Sequence, residues 1–356
     1  MSPDRGFWRG KRVFVTGHTG FKGAWLCAWL DRLGAKVLGL ALPPEDEPNL
    51  FALLGLEQRL DHRLGDIRNA PTIDGAMSLF RPEIVLHLAA QSLVRRSYRE
   101  PVETFETNVM GTINLLEAVR RTPSVRAAIV VTSDKCYENL GHHRPYRETD
   151  ALGGEDPYSA SKACAELVTG AWRHSFLSTG IALASARAGN VIGGGDWAVD
   201  RLVPDCIQAL GAGRAIELRN PAATRPWQHV LAPLSGYLLL AERLYAEGAA
   251  YARAWNFGPP PADAIPVAKV VERVIAAWGA PGSWVATAEP GPPEARHLAV
   301  DAGLARAELG WSPRLDLATG LAWTVEWYRR QRAGEAAEAL VAEQIARFEA
   351  LPESAP

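Results

Sequence analysis

The sequence is poor in cysteine and methionine, has no long apolar run, and carries no excess of either charge. Each shortage removes a class of protein. The four cysteines, Cys27, Cys136, Cys164 and Cys206, form no C-x-x-C pair and have no histidine pair close by. That excludes a disulfide framework and an obvious zinc site, so no metal is expected, and the pattern fits a reducing cytoplasm. A formal net charge of −2, with both signs scattered along the chain, offers no footprint for nucleic acid or an anionic membrane. No apolar stretch approaches the roughly 20 residues that span a bilayer. Residues 1–11 lack the apolar core of a secretory signal. The expectation is a cytoplasmic protein whose partners include neither membrane nor nucleic acid. Internal repeats and low-complexity tracts are missing as well, and 356 residues suffice for one large domain or two.

What is present is an alternation of apolar strands and amphipathic helices. Arg12 to Thr16 reads as a short β-branched strand running into Gly17-His-Thr-Gly20-Phe-Lys-Gly23, then a helix with Trp25, Leu26, Trp29 and Leu30 on its apolar side. Strand, glycine turn and helix are the context a dinucleotide fingerprint needs. Glycines let backbone approach a pyrophosphate, and the helix start adds free N–H groups and a positive dipole. Gly17, Thr19, Gly20, Phe21, Lys22 and Gly23 are therefore cofactor candidates. The spacing is G-x-x-G-x-x-G rather than the commoner G-x-G-x-x-G.

A second strand, Lys36 to Leu42, ends without the acidic residue that often holds an adenosine ribose. Between Lys36 and Arg59 there is also no Lys or Arg, whereas Glu45, Asp46 and Glu47 crowd the loop. A 2′-phosphate would meet repulsion there, which favours NAD over NADP. Gly65, Asp66 and Ile67 close a further strand, an edge suited to adenine. Ile84 to Ala90 is a buried strand carrying His87, read as a core histidine. Gln91, Ser92, Arg95 and Arg96 follow at its carboxyl edge, and a helix starts at Asn108.

The richest stretch is Val130 to Lys162. An apolar strand, Ala127 to Val131, ends in Thr132, Ser133, Asp134 and Lys135, at the sheet edge where α/β proteins bind ligands. Asp156 and Pro157 suit a helix start, and Tyr158 and Lys162 then share one helical face. Free tyrosine, with a pKa near ~10, is a poor base. A cation one turn away is expected to lower that pKa toward the working range.

These motifs, T-G-H-T-G-F-K-G, G-D-I, H-L-A-A, N-V-M-G-T and Y-S-A-S-K, resemble in order and approximate spacing the extended short-chain dehydrogenase/reductase family. The stretches T-S-D-K-C-Y-E-N and A-R-A-G-N-V-I-G-G-G-D-W are most similar to its branch of dehydratases acting on CDP-glucose. The resemblance spans about Phe7 to Arg330. It implies a doubly wound parallel α/β sheet of Rossmann type, at 7–188 with 226–258 returning to it. A smaller C-terminal α/β lobe, 189–225 and 259–350, would take the nucleotide sugar. It implies NAD as cofactor, with Leu88, Ala89, Ala90 and Asn108 joining the glycine turn, Asp66 and Ile67.

By the same resemblance Tyr158 is the base at the sugar 4-hydroxyl, supported by Lys162 and Ser133, and Asp134 is the acid for the leaving 6-hydroxyl. Lys135 stands where the dTDP-glucose relatives have a glutamate, either as the C5 base or as a cation beside an enolate. Asn190, Arg201, Arg219 and Arg225, with Gln91 and Ser92, are the substrate candidates, the arginines as a pyrophosphate clamp. Three consecutive glycines, Gly193 to Gly195, imply a mobile loop or a close approach to ligand. The implied reaction converts CDP-glucose to its 4-keto-6-deoxy sugar and water, in a homodimer or homotetramer. Competing readings are a nucleotide-sugar 4-epimerase, a dehydratase for another nucleotide, and a catalytically silent NAD-binding module.

Overall fold

The structure, a computed structural model, describes residues 2–45, 47–141, 144–177, 180–279, 281–287 and 298–352. Asp46 of the acidic loop lies outside the described residues.

Seven strands form one parallel sheet: β1 (Arg12–Thr16), β2 (Lys36–Ala41), β3 (Asp61–Leu64), β4 (Ile84–His87), β5 (Ala127–Val131), β6 (Ala182–Ala188) and β7 (Ala254–Phe257). Their spatial order is β7-β6-β5-β4-β1-β2-β3. The order reverses beside β1, whose Thr16 pairs with Leu40 on one side and His87 on the other. A crevice opens outside the carboxyl ends at such a reversal. β1, β4, β5 and β6 are buried nearly throughout, as strands covered on both faces must be.

Helices α1 (Phe21–Arg32), α2 (Ala70–Phe80), α3 (Gly111–Arg121) and α4 (Pro157–Ser175) make the crossovers. Asp156 caps α4, accepting from Ser159 N at 2.9 Å, so the local signal at Asp156-Pro157 places Tyr158 in the first turn. A π-helical turn, Glu106–Met110, precedes α3. One apolar cluster joins α1 to the β4–β6 face, the other joins α2 and α3 to the opposite face.

Beyond β6 lie α5 (Leu202–Gly211), α6 (Leu231–Glu247), α7 (Val267–Trp278), α8 (Leu317–Arg332) and α9 (Ala337–Glu349). Three small ladders accompany them, Val191–Ile192 with Gln228–His229, Ile216–Leu218 with Trp284–Ala286 and Thr224–Pro226 with Ala264–Pro266. α9 lies against α1, where Trp29 Nε1 donates to Glu349 Oε1 at 2.8 Å and the Trp29 and Phe348 rings meet at 5.6 Å. The triple glycine is packed against protein. A Cβ on Gly194 would lie 2.1 Å from the Trp327 ring, and its carbonyl accepts from Trp25 Nε1 at 2.9 Å. Close side-chain packing accounts for these glycines, not a mobile loop.

Candidate active site

A cleft of about 1020 Å³ runs along the carboxyl edge of the sheet. Its floor begins at the β1–α1 turn. Gly17 has φ +77, and a Cβ there would lie 2.7 Å from Ala89 N. A Cβ on Gly23 would lie 2.1 Å from Gly17 O. Both positions therefore exclude any side chain, and Gly20 caps α1 without a side-chain hydrogen bond. This is the backbone cradle and open helix start that a dinucleotide pyrophosphate fits. Thr19, Phe21 and Lys22 line the same turn, with Asp66, Ile67, Leu88, Ala89 and Ala90 beside them.

Asn108 differs from expectation. It is fully buried behind the cleft wall, accepts from Gln91 N at 2.9 Å, and donates to Gln91 O and Ser161 Oγ. Its amide matches the two polar groups of a bent strand end, so it shapes the wall and is not among the lining residues. Gln91 does line the cleft, but its side chain is turned into its own loop, donating to Thr104 Oγ1 and accepting from Leu93 N.

At the reaction end Ser133, Asp134, Lys135, Tyr158 and Lys162 converge on the cleft. Ser133 Oγ donates to Asp134 Oδ1 at 3.0 Å, and Lys135 Nζ stands 3.5 Å from the same oxygen. Asp134 is 1% exposed, and its Oδ2 has no partner among the described residues. Lys162 Nζ donates to Val131 O at 3.4 Å. Burial pulls its pKa down to about 8, against the upward pull of Glu166.

The tyrosine departs from the sequence reading. Burial pushes the Tyr158 phenol up to about 12, with Asp134 adding to the rise, while the neighbouring Ser133 hydroxyl and the charge of Arg201 act downward. The desolvation of a phenolate outweighs the nearby cations, so the protein alone does not bring Tyr158 into the working range. Lys22, placed with the cofactor turn, also reaches this end. Its Nζ is 3.4 Å from Tyr237 OH, and burial together with Lys162 and Arg201 lowers it to about 7.

The substrate candidates line the opposite part of the cleft. Arg201 Nη1 donates to both Asp196 oxygens, at 3.0 and 2.9 Å, and its Nη2 donates to Ser92 Oγ at 3.1 Å. Arg219 donates to Asp200 Oδ1 at 2.9 Å, an oxygen also within 3.3 Å of Arg95. Arg225 donates to Thr224 O at 3.0 Å. The sequence reading named these cations without Asp196 and Asp200, although both carboxylates lie close to Arg201 in sequence. Asn190 keeps a buried Oδ1 without a partner among the described residues. That atom is an acceptor, so a phosphate would be held by Nδ2 instead.

On the adenosine side the fold brings in a cation that the β2 window did not contain. Arg96 donates to Glu45 at 2.9 and 3.0 Å, and also to Glu100 and Glu103. Three carboxylates hold that guanidinium, so the loop stays acidic in balance.

His87 is the core residue expected of it. Its Nδ1 lies 2.6 Å from Thr16 Oγ1 and its Nε2 3.1 Å from Thr112 Oγ1. Burial and Lys162 hold it down to about 3. His18, inside the glycine turn, pairs with His62 at 2.7 Å, and burial with that neighbour holds it near 4. No group of three His, Cys, Asp or Glu among the described residues is arranged to hold a metal.

A glycine cradle at the switch point, with a serine and a tyrosine–lysine pair facing it, defines a dinucleotide-dependent enzyme acting at a carbinol carbon. A sequence profile described as GDP-mannose 4,6 dehydratase matches residues 14–254. A CDP-glucose 4,6-dehydratase of Salmonella typhimurium is 48% identical over 338 residues, covering 93% of this chain and 94% of that protein. A dTDP-glucose 4,6-dehydratase of Streptomyces griseus is 32% identical over 90% of this chain and 95% of its own length. Among solved structures, the dTDP-glucose 4,6-dehydratase of Streptomyces venezuelae with NAD bound superposes with a TM-score of 0.76. It is 26% identical and covers 90% of this chain and 98% of that one. A UDP-glucose 4-epimerase of Thermus thermophilus in complex with NAD gives 0.79 at 25% identity, covering 89% of this chain and 99% of that one. The chain belongs to the GDP-mannose 4,6 dehydratase family, within the extended short-chain dehydrogenase/reductases.

Proposed function

We propose that the protein is an NAD-dependent lyase that converts CDP-glucose to CDP-4-keto-6-deoxyglucose and water. The observation that carries this reading is the Asp134–Lys135 pair, set at 3.5 Å beside Ser133 in the same cleft as Tyr158 and Lys162. Oxidation at C4 needs only the last three and the cofactor. Elimination needs an acid at the C6 oxygen and a base at C5 as well. A 4-epimerase has no use for that second pair.

NAD, held at the turn of Gly17, Thr19, Gly20 and Gly23, would supply an acceptor for the C4 hydride and a donor of that hydride to C6. Tyr158 takes the 4-hydroxyl proton while Ser133 holds the same oxygen. The resulting 4-ketone acidifies C5–H. One proton is then enough to arm the Asp134–Lys135 pair. Placed on Asp134, it leaves a carboxylic acid to protonate the departing 6-hydroxyl and a neutral amine to take the C5 proton. After water leaves, Lys135 returns its proton to C5 as hydride reaches C6. Asp134 is re-protonated from solvent, and Tyr158 releases the 4-hydroxyl proton to solvent, which readies both for the next turnover. No net redox change results, so the cofactor stays bound through the cycle.

Asn190, Arg201, Arg219 and Arg225 serve the diphosphate, Ser92 serves the sugar end, and the acidic loop around Glu45 favours NAD over NADP. The domain division follows the same roles, the sheet region 7–188 with 226–258 taking NAD and the lobe of 189–225 and 259–350 taking the nucleotide. Tyr98, Val102, Phe105, Met110 and Leu167 leave an exposed apolar face on the helices packed around α4. A second copy of this chain covering that face would make the homodimer. The 48% identity to a CDP-glucose enzyme supports cytosine as the base. Incubation with NAD and the CDP-, dTDP-, GDP- and UDP-hexoses, with products identified by mass, tests the reading. Loss of water from CDP-glucose alone is expected, and isomerisation without loss of water would replace it with the epimerase.

A further inference from the structure

Behind the catalytic turn runs a buried polar chain that none of the steps above uses. Glu166 lies one helical turn beyond Lys162, and Arg187 lies on β6; they are 5% and 3% exposed. Arg187 Nη2 donates to Glu166 Oε2 at 2.7 Å. Thr132 Oγ1 donates to Oε1 at 2.5 Å, and Ser185 Oγ donates to Oε2 at 2.7 Å. One carboxylate thus ties α4, the end of β5 and β6 at a single point. From Arg187 the chain runs outward through Nη1 to the Tyr137 hydroxyl at 2.8 Å and to Glu148 O at 3.2 Å. Tyr137 OH donates to Asn256 Oδ1 at 2.7 Å. Thr132 and Tyr137 bracket Ser133, Asp134 and Lys135, so both ends of the catalytic turn are tied to one ion pair.

Stability alone explains such a pair poorly, because well-packed apolar residues commonly serve as well in a core. Its second consequence is electrostatic. Lys162 is faced by Glu166 and Tyr158 from its own helix, by Cys136 from the turn after β5, by His87 from β4 and by Lys22 from α1. His87 is held neutral and Lys22 is cationic or neutral, so Glu166 is the anion of this set. Burial pushes Glu166 up, but Arg187 and the two hydroxyls outweigh it and keep the carboxylate ionised.

We propose that Glu166 and Arg187 are positioning residues for the reaction, locking the turn of Ser133, Asp134 and Lys135 to the helix of Tyr158 and Lys162, and setting the field in which Lys162 holds its proton. This rests on the dehydratase reading for the reaction followed, but the device serves any chemistry run by Tyr158 and Lys162. The two halves of the pair then act on Lys162 with opposite sign. In Glu166→Gln an unpaired guanidinium remains, the ammonium form of Lys162 is disfavoured, and its proton is lost at lower pH. In Arg187→Met the carboxylate keeps its two hydroxyl donors, and the proton is held to higher pH.

The test is the pH profile of kcat/KM for the NAD-loaded enzyme with CDP-glucose. The alkaline limb should move down by about one unit in Glu166→Gln and up by a similar amount in Arg187→Met, the shift a neighbouring charge typically causes. Glu166→Asp and Arg187→Lys should bring it back toward wild type. A merely structural pair lowers melting temperature and turnover without moving the limbs apart. Limbs that coincide with wild type, or move together, overturn the proposal. If a single variant does not fold, Glu166→Gln/Arg187→Met, which leaves no unpaired buried charge, decides. It should keep the wild-type limb and KM while kcat falls at least tenfold, and wild-type kcat would overturn the proposal. Should wild type instead isomerise a UDP-hexose, the functional reading fails, and the same profiles taken on that substrate still judge the pair.

Discussion

Asp134→Asn separates the two halves of the proposed reaction. Asparagine keeps the size of the side chain and an oxygen to accept from Ser133, as Asp134 Oδ1 does at 3.0 Å. What it loses is a transferable proton at the second position, where Oδ2 has no partner among the described residues and is the atom left for the substrate. Losing general-acid catalysis costs about 10²–10⁴ in rate. At about 1.36 kcal/mol per decade that is about 2.7–5.4 kcal/mol on the elimination barrier. The structural cost is smaller. The ion pair with Lys135 spans 3.5 Å, and the lysine side chain, 21% exposed, still reaches water when the carboxylate is replaced by an amide. The effect on chemistry should therefore exceed the effect on folding. On mixing with CDP-glucose, reduced-nicotinamide absorbance should rise and persist, because C4 oxidation does not use Asp134. The 6-deoxy product should form about 10²–10⁴ times more slowly. If the absorbance fails to rise, Asp134 serves binding or C4 oxidation and the division of labour is wrong; wild-type product formation would refute the acid role itself.

The remaining predictions test the base, the cradle and the buried histidines. Tyr158→Phe should lower turnover by about 10²–10⁴ with NAD affinity unchanged in a fluorescence titration; half of wild-type turnover would contradict the assignment. Gly23→Ala sets a Cβ 2.1 Å from Gly17 O and should weaken NAD binding at least tenfold. Gly75→Ala on α2 meets nothing within 4 Å and should be neutral or stabilising by about 0.4–1 kcal/mol, so equal damage from both would discredit the cradle. His18, His87 and His229 are buried with folded pKa values of about 4, 3 and 3. Their folded values lie below the unfolded 6.5, so the unfolded state binds more protons, and stability is intact above pH 6.5 and falls as pH drops toward 4. Each contributes up to about 1.4 kcal/mol per pH unit in that window, opposed by Asp205, which burial raises to about 6. A melting temperature that stays level from pH 7 to pH 5 would contradict this.

The fold was legible wherever the signal is local. The glycine turn between β1 and α1, the polar end of β5 and the Asp156-Pro157 start of α4 each sit within a few residues, and each was read from spacing and residue type. Tyr158 and Lys162 fell on one face for the same reason. The phenol's pKa was not legible, because it depends on burial by segments distant in sequence, and burial reversed the direction expected from Lys162 alone. The partners of Arg201 lay five residues away and across the cleft, at Asp196 and Ser92, and the first could have been suspected from sequence. Arg96 reaches the acidic loop from the far side of the switch point, well beyond the stretch from Lys36 to Arg59. Gln91 is expected at the substrate because it follows a strand at its carboxyl edge, and Asn108 is implied at the cofactor by the family resemblance; here the Asn108 amide holds the Gln91 backbone instead. The packing of Gly194 under Trp327 joins residues 133 positions apart, beyond any local pattern.

The central claim is that hydride leaves C4 and returns at C6 of the same sugar, inside one cleft. CDP-glucose carrying deuterium at C4, turned over by the NAD-loaded enzyme in ordinary water, tests it directly. The deuterium should appear in the C6 methyl group of the 4-keto product. Deuterium retained at C4 of an epimerised hexose, or released to solvent, would contradict the account.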